Sequence, residues 1–539
     1  MTKMISSALP GLDRLRRHTG DRTIVGGLFG IAIAIGAYHG FDRPIYQEND
    51  TNIVYIYQTL LINDGLMQEY LDHTGYVYFL ILSGWLKLLH MLSIVPFITI
   101  SDLEGAAHMR ESFQALLQAS RWLSVLLSAT LASVLYVLLR MLVSVRWVAV
   151  LVALMIIISF GMVDQAIRLH TELPATLSIF LALLMLMAST RSRGPRAYLQ
   201  LAAAGFFCVA AMLTKYQAFP LLMALPLVPF MWLEKKRPLE LPTGILGRWS
   251  GVSMIGLWAL VFSIPAFVMV ITPMVLVTDQ ARLLPALIYL PLIIAYVALI
   301  CVLYAMAAGK TGQQTVLGLA AIGCGMALGI YLVFIHHDPR ILYTTANFIN
   351  QLSDFASNTP AGQSFKAATP DTAMTMIMAK LMALIEPTLI RAFQPGGTGN
   401  AMWPIYWAVG LGALVTAPFH WRLSLKLAFF LGLALAMEAF SRFRYLAPWY
   451  LIFIEPWVWI AFALLLDAVL VNRTRIARRL SIAAPMVVAA PLILVLAGVG
   501  WLQANDALRL RGDLKPKLED VCGKIKSTAS RLGDIDCYR

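Results

Sequence analysis

Long apolar runs separated by short polar segments dominate this chain. The runs are too long for strands and too uniformly apolar for the half-buried helices of a soluble protein. About 18 or more apolar residues in a helix rising 1.5 Å per residue cross a bilayer. Thirteen such runs stand near 24–40, 120–139, 147–163, 173–190, 198–214, 217–233, 250–276, 284–307, 315–335, 401–419, 424–440, 446–466 and 483–502. They predict an all-α polytopic membrane protein with about 13 transmembrane helices. Residues 1–23 carry four Arg and one Lys and run into the first apolar stretch without a small-residue cleavage site, which reads as an uncleaved first helix.

Composition narrows the class. The chain is 59 % apolar and 13 % charged, with a mean hydropathy of +0.73. A water-soluble surface needs roughly a quarter charged residues, so a soluble multidomain enzyme, a disordered chain and a nucleic-acid binder are all excluded. The net charge of +13 fits the Lys and Arg that membrane proteins gather in cytoplasmic loops. Five cysteines without a CxxC or a Cys/His cluster argue against iron–sulfur and structural zinc sites.

Basic clusters set the expected orientation. Placing the N-terminus inside puts Arg140–Arg146, Arg191–Arg196 and the cluster Arg473, Arg475, Arg478 and Arg479 on the cytoplasmic side, as the positive-inside rule expects. The expected plan is a cytoplasmic 1–23, a membrane domain over 24–502 and a periplasmic tail over 503–539. Two long segments, 41–119 and 336–400, then face the periplasm. Within the first, Gly75–Phe97 is apolar but interrupted by Lys87 and His90, which suits a helix lying in the interface. The loop 336–400, rich in Pro and ending in GGTGN, reads as a mobile lid. Cys522 and Cys537 share the tail; a disulfide between them fits an oxidising compartment, with two free thiols as the alternative.

Ionisable residues at the mouths of membrane helices are expensive to keep and so are candidates for function. On the expected outer side they gather at four places. The first is FDRPIYQENDTNIVYIYQ, with Asp42, Arg43, Glu48, Asp50, Tyr55 and Tyr57; the second is DQAIRLHTELP, with Asp164, Arg168, His170 and Glu172. The third is LTKYQ, with Lys215 and Tyr216, and the fourth is SRFRYLAPWY, with Arg442, Arg444 and Tyr445. Each has a plainer reading: solvated carboxylates, a lysine reaching lipid phosphate, arginines anchoring a helix end, a structural histidine. His336, His337 and Asp338 invite a metal reading, but adjacent histidines point apart on most backbones. No plain reading accounts for acids and bases clustering at successive mouths on one side. Such a cavity suits glycosyl transfer from a lipid phosphate: a carboxylate deprotonates an acceptor hydroxyl while Lys and Arg stabilise the departing phosphate.

The same segments resemble C-type (GT-C) glycosyltransferases, in particular the lipid A aminoarabinose transferases and protein O-mannosyltransferases. Arg43-Pro44-Ile45-Tyr46 followed by Asp50 and Tyr55 is similar to that family's first outer loop, and DHTGYVYFLILSGWLKLLH to its interfacial segment. RLHTELPATLSIFLALLM, AGFFCVAAMLTKYQAFPLL and RFRYLAPWYLIF follow in family order. Asp50 is followed by Thr51 where the family often has Glu, and His73-Thr74-Gly75 stands in place of a basic residue and Pro-Pro.

The resemblance implies a GT-C fold with periplasmic interfacial helices, set in the bacterial inner membrane. It implies an inverting transfer of a sugar from a polyprenyl-phosphate donor to a lipid, glycan or protein acceptor. Asp50 would be the base, with Glu48 as fallback, and Glu172 would position acceptor or sugar. Lys215, Arg442 and Arg444 would bind donor phosphate, with His73, Arg168, Tyr216 and Tyr445 also at the substrate. Membrane lipids are expected partners, nucleic acid is not, no cofactor is assigned and a divalent metal is left open. The competing readings are a transporter or flippase of a lipid-linked or anionic solute and a polysaccharide ligase or polymerase; a transporter would favour internal repeats with paired broken helices, and none is visible.

Overall fold

The computed structural model describes residues 10–40, 50–66, 68–69, 75–104, 106, 108–192, 194–232, 312–335, 382, 384–394, 401–442, 448–471 and 484–512. Among these residues there are α-helices and 3-10 turns and no strand. The first helices are α1 (Pro10–Gly40), α2 (Asp50–Asn63), α3 (Tyr76–Met91), α4 (Ile100–Glu104) and α5 (Met109–Leu142). Next come α6 (Arg146–Ile157), α7 (Phe160–Ile167), α8 (Glu172–Arg191), α9 (Pro195–Thr214), α10 (Phe219–Ala224) and α11 (Leu227–Trp232). Further along stand α12 (Gly312–Ile335), α13 (Trp403–Thr416), α14 (Trp421–Arg442), α15 (Glu455–Val471) and α16 (Ala484–Gly512), with residues 384–393 helical as well.

Among the described residues, six helical stretches are long and apolar enough to cross a membrane: Gly20–His39, Glu111–Leu142, Glu172–Arg191, Pro195–Thr214, Trp421–Ser441 and Tyr450–Val471. The pair α6 and α7 makes a seventh if counted as one span, bent by 52°. The protein is thus an all-α polytopic membrane protein. The apolar runs at 250–276 and 284–307 lie outside the described residues, as does the tail beyond Gly512; of the segment 336–400 expected as a lid, only 382 and 384–394 are described. The run 217–233 does not form one continuous helix. A 3-10 turn over Tyr216–Ala218 leads into α10 and then α11, and Pro226, which lacks an N–H, stands at the break between them. The run at 147–163 is also interrupted. Ser159 caps α7 by accepting from the Met162 amide at 3.3 Å, restarting the helix in a new direction.

One end of the bundle is tied by charge. Asp21 on α1 accepts from the Tyr136 hydroxyl at 2.8 Å and pairs with Arg146 at 3.1 Å. Asp467, near the end of α15, accepts from the Ser144 and Val145 amides at 3.0 and 2.7 Å. The first half of α1, the end of α5, the start of α6 and the end of α15 therefore meet there. The opposite end receives the close of α7, the start of α8 and the close of α9. Between the ends lies an apolar core, in which Phe180 and Phe430 pack on the fully buried Trp457 at 4.7 and 6.0 Å between ring centroids. A second core joins α2, α3 and α5 through Tyr57, Tyr78, Phe79 and Phe113.

Small residues fix α9. Gly205 lies against the Ile322 carbonyl of α12 and Gly325 of α12 against the Ala202 carbonyl, and a Cβ at either position would collide with backbone. Close approach through small residues is how membrane helices gain packing when lipid offers no hydrophobic contrast. It sets the axis along which α9 delivers Lys215. Helix α3, expected over Gly75–Phe97, forms over Tyr76–Met91, too short to cross a bilayer. It buries Tyr78, Phe79, Leu82 and Leu86 and leaves Leu88 and Met91 exposed.

Candidate active site

Four residues between α7 and α8 form the corner on which the site is built. Helix α7 ends as Arg168 turns extended, and α8 restarts at Glu172, with Pro174 in its first turn where a missing N–H costs nothing. Glu172 is 1 % exposed, a position no carboxylate occupies at ordinary cost unless it is paired. Its partner comes from α9. Lys215 caps that helix in an extended conformation, and its Nζ lies 2.7 Å from Glu172 Oε1. The Thr171 hydroxyl donates to the other carboxylate oxygen at 3.4 Å. The Tyr450 ring, from the 3-10 turn Pro448–Phe453, faces the ammonium at 5.9 Å from its centroid.

Helix α2 closes the corner from another side. Asn52 is fully buried and its Oδ1 accepts from the Leu169 amide at 2.9 Å, so the first turn of α2 is fastened to the 168–172 corner. Tyr55, one turn on, is buried with its ring 5.8 Å from Tyr78. Burial pushes its hydroxyl well above the ordinary phenol range, against the pull of Lys215, so it is a neutral hydrogen-bonding group. His170 is neutral as well: burial holds it down at about 3, from an ordinary 6.5, although Glu172 beside it pulls the other way. Arg168 Nε sits 3.1 Å from Asp164 Oδ1, with Asp164 fully buried at the i−4 position.

The structure therefore brings Arg168, Glu172 and Lys215 to one mouth, together with His170 and Tyr55. Asp50 opens α2, two residues before Asn52, which places its backbone at that mouth. Tyr216 opens the 3-10 turn after Lys215, and Arg442 is the last residue of α14. Glu48, His73, Arg444 and Tyr445 lie outside the described residues, as do His336, His337 and Asp338.

Several functional groups were not singled out from the sequence. Asn52 offers no signal there, because its role is a bond to a backbone amide distant in the chain. Glu438 and Glu455 did carry one, being carboxylates inside apolar runs. Arg391 clasps Glu438 in a two-pronged pair, Nε to Oε1 at 2.5 Å and Nη2 to Oε2 at 2.8 Å, with Glu438 fully buried. Glu455 accepts from the Gly161 amide at 3.0 Å, joining the start of α15 to α7. A third group shows only in three dimensions. Gln217 is 3 % exposed and, among the described residues, neither its amide oxygen nor its amide nitrogen has a partner. The Thr176 hydroxyl and the Trp457 indole N–H are likewise buried without a partner. An unmet polar group costs roughly 1–3 kcal/mol.

The arrangement can hold and discharge an anion. The Lys215 ammonium carries three donors, one of which meets Glu172. Burial makes that charge count for more than it would in water.

Residues 109–283 match the family model described as dolichyl-phosphate-mannose-protein mannosyltransferase. The matched stretch is about a third of the chain and contains Asp164, Arg168, Glu172 and Lys215. Over that stretch it bears out the resemblance to C-type glycosyltransferases, and with it the glycosyltransferase and transmembrane character read from the sequence. No curated protein matches the chain.

Proposed function

We propose that this glycosyltransferase-like membrane protein transfers a sugar from a polyprenyl-phosphate donor to a lipid, glycan or protein acceptor, with inversion. Its site would open at the periplasmic face of a bacterial inner membrane, with the N-terminus cytoplasmic and the C-terminus periplasmic. The observation that carries this reading is the buried Lys215–Glu172 pair, 2.7 Å apart at a helix mouth inside the matched stretch.

Each residue follows from the chemistry. The acceptor oxygen attacks the anomeric carbon, the bond from that carbon to the phosphate oxygen breaks, and the phosphate leaves on its lipid. Asp50 takes the acceptor proton, with Glu48 as the second choice. Lys215 meets the charge that develops on the leaving phosphate, and Glu172 holds the ammonium in place before substrate arrives, so little reorganisation is needed in the transition state. Tyr55 donates from its neutral hydroxyl beside them. Arg442 and Arg444 add charge for the phosphate, and Arg168, His73, Tyr216 and Tyr445 line the substrate.

The test is product analysis with purified protein. Incubation with dolichyl-phosphate mannose or dolichyl-phosphate glucose, plus a membrane extract as acceptor source, should release dolichyl phosphate from one donor. Release should disappear in Lys215→Ala. A transporter would leave both donors chemically intact, and that outcome would remove the proposal.

A further inference from the structure

On the elements that carry the Lys215–Glu172 pair and on the helix packed against them, three buried polar groups have no hydrogen-bond partner among the described residues. Gln217 lies inside the turn that Lys215 opens, which is closed by the Ala218 amide donating to the Lys215 carbonyl at 3.0 Å. That turn packs against α8, α9 and α10. Thr176 is one helical turn from Glu172 on the same face of α8, and Phe180, one turn further, packs on Trp457 at 4.7 Å. The unmatched atoms are the Gln217 amide oxygen and nitrogen, the Thr176 hydroxyl and the Trp457 indole N–H. Thr176 is notable because other hydroxyls in these helices, such as Thr214 and Ser178, donate to the carbonyl four residues back, and Thr176 does not.

We infer that Gln217 and Thr176 form a hydroxyl-reading subsite for the sugar ring of the lipid-linked donor. This rests on the donor-phosphate reading of Lys215 given above. A primary amide offers two donors and an acceptor, and a threonine hydroxyl offers one of each kind, which is the complement needed for neighbouring hydroxyls of a hexose. Gln217 is two residues from Lys215 and Thr176 one turn from its partner Glu172, a placement that a sugar joined directly to that phosphate requires. A lipid tail could not use these groups, and a second anion would meet Glu172. A site built to hydrogen-bond hydroxyls rejects ligands lacking them, because its own polar atoms are then left unmet.

Binding of three probes to the purified full-length protein tests this: dolichyl phosphate, dolichyl-phosphate mannose and dolichyl-phosphate glucose. The wild type should bind one sugar lipid at least about tenfold more tightly than dolichyl phosphate, the gain of roughly two satisfied hydrogen bonds. Gln217→Leu and Thr176→Val should each erase most of that preference and leave dolichyl phosphate binding unchanged. Gln217→Glu, which keeps the shape but loses the donors, should do the same. The melting temperature of Gln217→Leu should hold or rise, because it removes an unmet amide; a fall would mark Gln217 as a structural group and overturn the subsite. Variants that keep the full sugar preference would also overturn it, as would a wild type with no preference for either sugar. If dolichyl phosphate still binds in those cases, the donor-phosphate reading stands without the subsite. If none of the three probes binds, the donor reading itself fails and takes the subsite with it.

Discussion

Lys215 Nζ and Glu172 Oε1 stand 2.7 Å apart, one from the close of α9 and the other from the start of α8, with Glu172 almost wholly out of contact with solvent. Neither charge could be held there alone. Removing one member leaves the other buried and uncompensated, at a cost of about 3–5 kcal/mol.

That asymmetry separates folding from function. Lys215→Met alone should lower stability by about the cost of an unpaired buried charge, 3–5 kcal/mol. The double change Lys215→Met with Glu172→Gln should recover much of the melting temperature in a detergent-solubilised thermal scan. Activity should stay lost in both, because the phosphate partner is gone.

His170 makes stability depend on acid. It titrates at about 3 when folded and near 6.5 otherwise, because burial disfavours its cation; Glu172 opposes that shift, while Arg168 and Lys215 reinforce it. Between those values the unfolded chain binds the proton and the folded chain does not, so stability falls as pH drops from about 6.5 toward 3. Above 6.5 both states are neutral and the group adds no pH dependence. Comparing melting temperatures at pH 7 and pH 5, His170→Gln should lose less stability on acidification than the wild type.

Asp50→Asn keeps the shape and removes the proposed base. A positioned base contributes roughly 10²–10⁴-fold, so turnover should drop by at least about a hundredfold with donor binding largely retained. Arg444→Ala should instead weaken donor binding as well as turnover, since a phosphate partner acts in ground and transition states alike. Steady-state kinetics separates the two patterns, and a fully active Asp50→Asn would transfer the role to Glu48.

Gly161→Ala should loosen the junction between α7 and α15. A Cβ there would stand 2.7 Å from Glu455 Oε2 and 2.9 Å from the Ile452 amide nitrogen, too close for either. Overpacking of this kind costs typically 1–3 kcal/mol. Thermal unfolding should register it, and the hydrogen bond from Gly161 to Glu455 should lengthen.

Orientation can be read by labelling. Cysteines placed at Ser364 and Ser530 should react with an impermeant thiol reagent added outside, whereas those at Ser192 and Thr474 should not. The reverse pattern would put the Lys215–Glu172 mouth on the cytoplasmic side.

Length and apolarity alone determined the class of this protein, because about 20 residues without charge have no other stable home than a bilayer. The mouths were legible for a related reason: Glu172 before Pro174 and Lys215 at the end of an apolar run are charges kept where desolvation is costly. The breaks were less so. Hydropathy ran straight through 147–163 and 217–233, while the Ser159 cap and Pro226 divided both stretches. Tertiary structure decided which charges meet. That Lys215 pairs with Glu172, that Asn52 fastens α2 to Leu169, and that Gln217 and Thr176 find no partner among the described residues depends on helices packed across long stretches of chain. Side-chain hydrogen bonds act over about 3 Å, and no periodicity within one helix specifies which neighbour will come that close.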